Sequence, residues 1–294
     1  EKLNVDMYAL NDRVNDLYFG ILLLDEQIKQ NTLLQDELER NYRQITAYVE
    51  NGIANQADLD AVKVEQLNTK QKRIDLVSSR AAYLKMLSLL VGEALSPETV
   101  LEKPVPQSTV SAVSEIRRPE LALFDAQGAG LQVQEKALNV RHLPQFGLFV
   151  QGAYGNPGLN MLKNEFSPYY MAGVRLSWNF GSLYTLKNDR RVIEKKRQQL
   201  DNNRDIFLFN TRLEMTQQDQ AIHSLEKQMR DDDEIIRLRT NIRKAAEAKV
   251  ANGTLTVTEM LRELTNESLA RQSKAMHEIQ RLMGIYQLKY TTND

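Results

Sequence analysis

The stretch Ser182–Ala251 contains neither proline nor glycine. Proline costs about 3 kcal/mol inside a helix and glycine about 1 kcal/mol, so nothing in this stretch stops a helix once it starts. At 1.5 Å per residue such a helix spans roughly 100 Å, far beyond the 8–20 residues of ordinary globular helices. All seven prolines fall at 97, 104, 106, 119, 144, 157 and 168. Outside that window the chain is nearly glycine-free, and Glu1–Glu50 is a second segment without a stop signal. The reading is an elongated, mainly helical molecule.

The apolar spacing supports helices that pair lengthwise. Met7, Leu10, Val14, Leu17, Ile21, Leu24 and Ile28 step by threes and fours, and the register resumes at Leu38, Tyr42, Ile45 and Val49. This is a coiled-coil seam, interrupted where Asn31 and Gln35 occupy core-type positions. Ile235, Leu238, Ile242 and Ala245 repeat the spacing, which predicts a second seam there. The acidic run Asp231-Asp232-Asp233-Glu234 reads as a solvated helix face.

Each long helix stops at a similar phrase. Val49-Glu50-Asn51-Gly52 is followed by Asn55 and Asp58, and Val250-Ala251-Asn252-Gly253 by Thr256 and Glu259, at an offset of 201 residues. Glycine after a helix takes the left-handed conformation that ends it, and Asn55 and Thr256 are candidate N-caps for helices of roughly 35 residues. The chain therefore reads as two repeats, each an antiparallel helical hairpin with its tip at Asn-Gly.

The middle alternates with a period of two. In Leu143–Gly155, Phe146, Leu148, Val150 and Tyr154 share a face, and Gln145, Gly147, Gln151 and Ala153 share the other, with Phe149 the exception. In Pro168–Gly181, Tyr170, Ala172, Val174, Leu176, Trp178 and Phe180 oppose Gly173, Arg175, Ser177 and Asn179. These runs predict a β-hairpin around the loop Asn156–Ser167. About 9–11 tilted residues cross a bilayer, and aromatics at both ends of the second face suit an interfacial girdle. A soluble hairpin packed on a core fits the same pattern, although no other segment supplies strands to complete a sandwich.

Composition excludes several classes. Lys plus Arg number 38 against 39 Asp plus Glu, for a formal charge of −1, which argues against a nucleic-acid binder. With no cysteine there is no disulfide framework, thiolate metal site or cysteine nucleophile. The histidines at 142, 223 and 277 are too dispersed for a metal motif, and no phosphate loop or catalytic constellation appears. The expectation is no enzyme, no cofactor and no metal. No apolar run reaches the roughly 18 residues of a membrane helix, and no signal peptide opens the chain.

Several phrases, in order, resemble the TolC family of outer-membrane efflux proteins. Leu89-Leu90-Val91-Gly92 is similar to the family's Leu-Gly end of the first hairpin, and the extended linker Glu102-Lys103-Pro104-Val105-Pro106 follows it. Arg118-Pro119-Glu120-Leu121 resembles the family's Arg-Pro-acid-Leu helix start, Leu143-Pro144 its lead-in to a barrel strand, and Trp178-Asn179-Phe180-Gly181 the aromatic-glycine end of the next. The resemblance implies a mainly α fold: two repeats of long coiled-coil hairpins, with one β-hairpin here contributing to a trimeric outer-membrane β-barrel. The parts would be residues 1–96, the first helical hairpin; 97–142, linker and short helices of the equatorial region; 143–181, the barrel strands; and 182–294, the second helical hairpin. The family pattern carries a further β-hairpin ahead of the first helical hairpin, so the expectation is a chain lacking about 130–150 N-terminal residues, a family-based figure.

The resemblance implies a passive conduit in a tripartite efflux or type I secretion system, a homotrimer working with a periplasmic adaptor and an inner-membrane pump. It would lie in the outer membrane and periplasm of a Gram-negative bacterium, contacting outer-membrane lipid and no nucleic acid. Gln145, Gln151, Arg175, Ser177 and Asn179 would line the barrel lumen, and Phe146, Leu148, Val150, Val174, Leu176 and Trp178 would face lipid. Asn51, Gly52, Asn252 and Gly253 mark the tips, where the adaptor would dock. Glu259 matches the family's first acidic gate position, with Asp58 its counterpart; three copies of a carboxylate form a ring that favours cations. An acid in a helix's first turn also suits the helix dipole without any gate. The family's second acid is Arg262 here, and its latch positions are Leu255 and Val250, so a double ring and that latch are not expected. A periplasmic adaptor of the membrane-fusion type or a coiled-coil scaffold are the alternatives.

Overall fold

The computed structural model describes residues 1–106, 114–141 and 143–293, leaving His142 outside. Its elements are α1 (Lys2–Glu50), α2 (Gln56–Val91), α3 (Pro119–Arg141), β1 (Gln145–Gly155), β2 (Ser167–Ser177), α4 (Ser182–Ala251) and α5 (Val257–Thr292). The uninterrupted stretch is one helix, α4, and the two Asn-Gly phrases join α1 to α2 and α4 to α5. The described chain forms two compact units, Lys2–Pro119 with Leu208–Asp294, and Glu120–Phe207 with Glu1.

In the first unit both hairpins share a core. Leu38 and Ile45 of α1, Val62 of α2, Ala246 and Val250 of α4, and Val257, Met260, Leu261 and Leu264 of α5 form one apolar cluster beside the tips. Further clusters follow along the bundle: Leu17 and Ile21 with Leu84 and Leu87, Phe19 and Leu22 with Ile279, and Met215 and Ile222 with Leu288. The α1 seam read from sequence is this buried face from Leu17 onward. At its interruption, Asn31 and Gln35 donate through their side-chain amides to the Thr69 carbonyl of α2, at 3.2 and 3.3 Å. Polar residues thus replace apolar packing with hydrogen bonds at the one break in the seam.

The linker after α2 is strapped across these helices. Gly92, at φ +77°, ends α2 with its N–H on the Ser88 carbonyl. Arg80 pairs with Asp25 and donates to the Pro97 and Thr99 carbonyls at 2.6 and 2.7 Å. Tyr18 donates to the Glu102 carbonyl at 2.6 Å, Lys103 pairs with Glu26 at 2.8 Å, and Leu101 packs on two of the clusters. At the far end of α5, the Arg117 N–H reaches the Thr292 carbonyl at 2.8 Å, and Arg118 lies over the stacked rings of Tyr8 and Tyr290.

Two expectations fail in α4. Ile235, Leu238 and Ile242 remain nearly half exposed, while Met215, Ile222, Ala246 and Val250 are buried. The spacing of threes and fours is present, but it marks a second face of α4, not the one turned to α5. The acidic run is not wholly solvated either. Asp232 is buried, its carboxylate 2.9 Å from His277 Nδ1, and Asp233 pairs with Lys274. A helix displays a different face every residue, so a run of four acids must send some side chains toward its neighbour.

In the second unit α3 runs antiparallel to the first part of α4. Phe124 meets Phe207 with ring centroids 5.9 Å apart, Asp125 pairs with Arg204 at 3.1 Å, Glu135 with Arg197 at 2.8 Å, and Arg190 donates to Asn139 at 2.7 Å. Of the expected short helices in 97–142, the described residues hold one, α3, of 23 residues. β1 and β2 form a two-stranded antiparallel sheet, with Gln145 opposite Ser177 and Gly155 opposite Ser167. Both strands are shorter than the alternation suggested. Continuing the register sets Trp178 against Pro144, which has no N–H to extend the ladder. Trp178 and Asn179 therefore lie beyond the sheet, and the pleat does not assign them a face.

Candidate channel surfaces: the hairpin tips and the strand pair

The two tips share a set of turn and capping bonds. At the first, the Gly52 N–H reaches the Val49 carbonyl at 3.1 Å and the Ile53 N–H the Tyr48 carbonyl at 2.8 Å; at the second, Gly253 reaches Val250 at 2.9 Å and Thr254 reaches Lys249 at 2.9 Å. Asn51 and Asn252 each fold the side-chain amide back onto a carbonyl of the preceding turn, Ala47 at 2.7 Å and Ala248 at 2.9 Å. Gly52 and Gly253 sit at φ +72° and +67°, where a side chain is strained. The next helix then starts in a capping box. Asn55 and Asp58 exchange backbone-to-side-chain bonds at 3.0 and 3.1 Å, and Thr256 and Glu259 do the same at 3.2 and 3.2 Å.

Asp58 and Glu259 are thus both N3 acids of capping boxes. Glu259 is exposed. The hydrogen bond from the Thr256 hydroxyl, then that from its backbone N–H, hold its carboxyl below the ordinary value, with help from the Arg262 charge. Val250 is buried and Leu255 packs against the same core, so the family's latch positions are apolar packing here.

Two turns along α5 from Glu259 lies a charged group that the sequence reading missed. Glu267 is only 1% exposed and accepts from Thr240 at 2.7 Å, from Arg243 and from Arg271; Arg243 also pairs with Glu247. Burial pushes the Glu267 carboxyl up, but the hydrogen bonds from Arg271, Thr240 and Arg243 outweigh it and hold the group below its ordinary value of 4.5. The available signal was a glutamate in register with Leu264 on the apolar face, with an arginine four residues later.

The strand register brings the two predicted faces together intact. Phe146, Leu148, Val150 and Tyr154 lie across from Leu176, Val174, Ala172 and Pro168, and Gln145, Gly147 and Gln151 across from Ser177, Arg175 and Met171. The exception is explained by its partner. Phe149 lies opposite Gly173, and a Cβ on Gly173 would come within 3.0 Å of the Phe149 ring. The absent side chain gives the ring a seat, and the Arg175 guanidinium lies 5.5 Å from the ring centroid. Among the described residues no core lies beneath the apolar face. Leu148 is 87% exposed, Val150 80% and Tyr170 83%. A lone hairpin is marginal in water, and among the described residues no third strand pairs with either edge.

Among the described residues no group of three potential metal ligands comes together, and no helix is long and apolar enough to cross a membrane. No protein-family model and no curated protein matches the chain by sequence. Solved structures do match it. The outer-membrane channel OprN superposes with a TM-score of 0.79 at 12% identity, over 99% of this chain and 67% of its own. The outer membrane protein VceC of Vibrio cholerae gives 0.80 at 11%, over 97% and 70%. The MtrE outer membrane channel of Neisseria gonorrhoeae, solved in its open state, gives 0.75 at 12%, over 98% and 67%. The fold of this chain is that of these outer-membrane proteins.

Proposed function

We propose that the intact protein is a passive conduit across the outer membrane and periplasm of a Gram-negative bacterium, for substrates delivered by an inner-membrane pump through a periplasmic adaptor. The observation that carries this reading is the strand pair. Its apolar face is exposed along its whole length, opposite a face holding Gln145, Gln151, Arg175 and Ser177. In lipid every backbone polar group must be paired, so open strand edges close only by joining further strands into a barrel. Three copies of the protein around an axis supply them. Lipid then covers Phe146, Leu148, Val150, Val174 and Leu176, and water wets the polar face. Trp178 and Asn179 fall at the rim.

The helical hairpins leave further apolar stripes for the neighbouring copies. Val64, Leu67, Ile74 and Val77 on α2, and Ile235, Leu238 and Ile242 on α4, are about half exposed. At the tips, three copies of Asp58 and Glu259 make an acidic constriction that favours cations, and Asn51, Gly52, Asn252 and Gly253 form the surface on which the adaptor docks. Such a duct needs no catalytic group. An adaptor or a scaffold shares the helical hairpins but has no use for an exposed apolar strand face.

The test is solubility and mass. The intact protein is expected to require detergent and to sediment as a trimer in it. A monodisperse species that stays in solution without detergent would overturn the conduit and favour the adaptor.

A further inference from the structure

The chain as a whole has a formal charge of −1, yet from Lys187 to Arg197 six lysines and arginines stand against two acids, Asp189 and Glu194. The packing between α3 and α4 uses only some of them. Arg190 and Arg197 turn toward α3, to Asn139 and Glu135. Lys187, Arg191 and Lys195 follow Tyr184 at i+3, i+7 and i+11, which places all four on a different face of α4. All four are exposed, Tyr184 to 91%.

The position of this face is as informative as its charge. Gln145 opposite Ser177 is the last rung of the sheet at its helix end. α3 ends there with Arg141, and α4 begins there with Ser182. Trp178 and Phe180 bridge sheet and helix, their ring centroids 4.3 Å apart. In sequence order the chain passes from the apolar strand face to paired aromatic rings, to Tyr184, and then to three cations on one helix face. Aromatic rings settle at the headgroup level of a bilayer, and lysine and arginine gather just beyond it, where anionic lipids hold them.

We propose that Tyr184, Lys187, Arg191 and Lys195 form a binding surface for anionic phospholipid headgroups in the leaflet at the helix end of the barrel. The proposal rests on the conduit reading. The occupant follows from charge complementarity and from continuity with the apolar strand face. Ammonium and guanidinium groups donate charge-assisted hydrogen bonds to phosphate oxygens, and the aromatic rings cover the glycerol and upper acyl region. A neighbouring copy or the water of the duct could occupy the same face, and the experiment separates these.

Trp178 is the one tryptophan among residues 1–294, and in the intact protein its fluorescence, taken as the difference between the wild type and Trp178→Phe, reports from the edge of the proposed surface without any label. The intact protein is reconstituted in phosphatidylcholine bilayers containing a minor fraction of brominated phosphatidylglycerol or, separately, brominated phosphatidylcholine. Quenching by the brominated phosphatidylglycerol is expected to be at least about twofold stronger, and to fall to parity at about 1 M salt, where the Debye length is about 3 Å. Lys187→Gln/Arg191→Gln/Lys195→Gln is expected to abolish the difference while phosphatidylcholine still quenches. Glutamine is a good helix former and these side chains are exposed, so α4 is kept. Equal quenching by the two lipids in the wild-type protein overturns the proposal, as does a preference that survives the triple substitution; either outcome leaves the conduit standing. Quenching by neither lipid overturns the proposal as well.

Discussion

Glu267 is the most deeply buried charge among the described residues, and it binds α5 to α4 through Thr240 and Arg243. Removing one member of a buried ion pair costs about 3–5 kcal/mol, because its partner is left charged and unpaired. Glu267→Ala is therefore expected to destabilise the protein by about 3 kcal/mol, with Glu267→Gln milder, read from thermal unfolding in detergent. The pH dependence has a definite sign. The folded carboxyl titrates below its ordinary 4.5, so its contribution is complete above about pH 4.5 and is lost as the pH falls through the lower folded value. The melting temperature of the wild type should fall over that acid range, and that of Glu267→Gln should fall less. At the tips, Gly52 and Gly253 have open space where a Cβ would go, so substitution there meets only the backbone term. Gly52→Ala and Gly253→Ala are each expected to cost about 1–2 kcal/mol by the same measurement. A neutral result would mean that the left-handed turn is not retained.

At the scale of elements, the strands give the sharpest contrast between faces. An arginine on the lipid side of a barrel costs about 2–4 kcal/mol at the bilayer midplane, while lumen positions tolerate charge. Leu148→Arg or Val174→Arg is expected to lower folding into vesicles, seen as loss of the heat-modifiable band on gels, whereas Gln151→Arg is expected to fold as the wild type does. Equal losses on both faces would contradict the assignment. These faces were legible in the sequence because a period of two survives in any hairpin, whatever surrounds it. The helices were legible because every proline lies between residues 97 and 168 and Ser182–Ala251 holds no glycine, and the tips because their cap residues recur at one offset. The α4 seam was not legible. Ile235, Leu238 and Ile242 have the spacing of a buried face, but spacing cannot say whether the partner is α5 or something outside the chain. Asp232 and Glu267 escaped for a related reason: a charge reads as exposed until the neighbour that pairs with it is known. Val250 and Leu255 stand where the family's latch residues would, and the core beside the tips explains their apolar character.

For the whole molecule, the proposed conduit requires that apolar surface left bare in one chain be covered by lipid and by identical copies around a water-filled duct. Under the proposed function, the exposed faces of β1, β2, α2 and α4 are the surfaces that lipid and neighbouring copies would cover. The tip carboxylates add a claim about selectivity that can be separated from stability. Asp58→Asn and Glu259→Gln remove charge and keep an amide oxygen for the cap, so the capping boxes are expected to persist. Single-channel conductance of the intact protein in planar bilayers, with these two variants and their combination alongside, tests the conduit. Discrete, cation-selective openings are expected from the inserted trimer, with selectivity reduced in the double variant. Openings that ignore both substitutions would keep the conduit and move its constriction away from the tips. A bilayer that stays sealed around correctly folded, inserted trimers, with the tip carboxylates neutralised as well, would contradict the conduit.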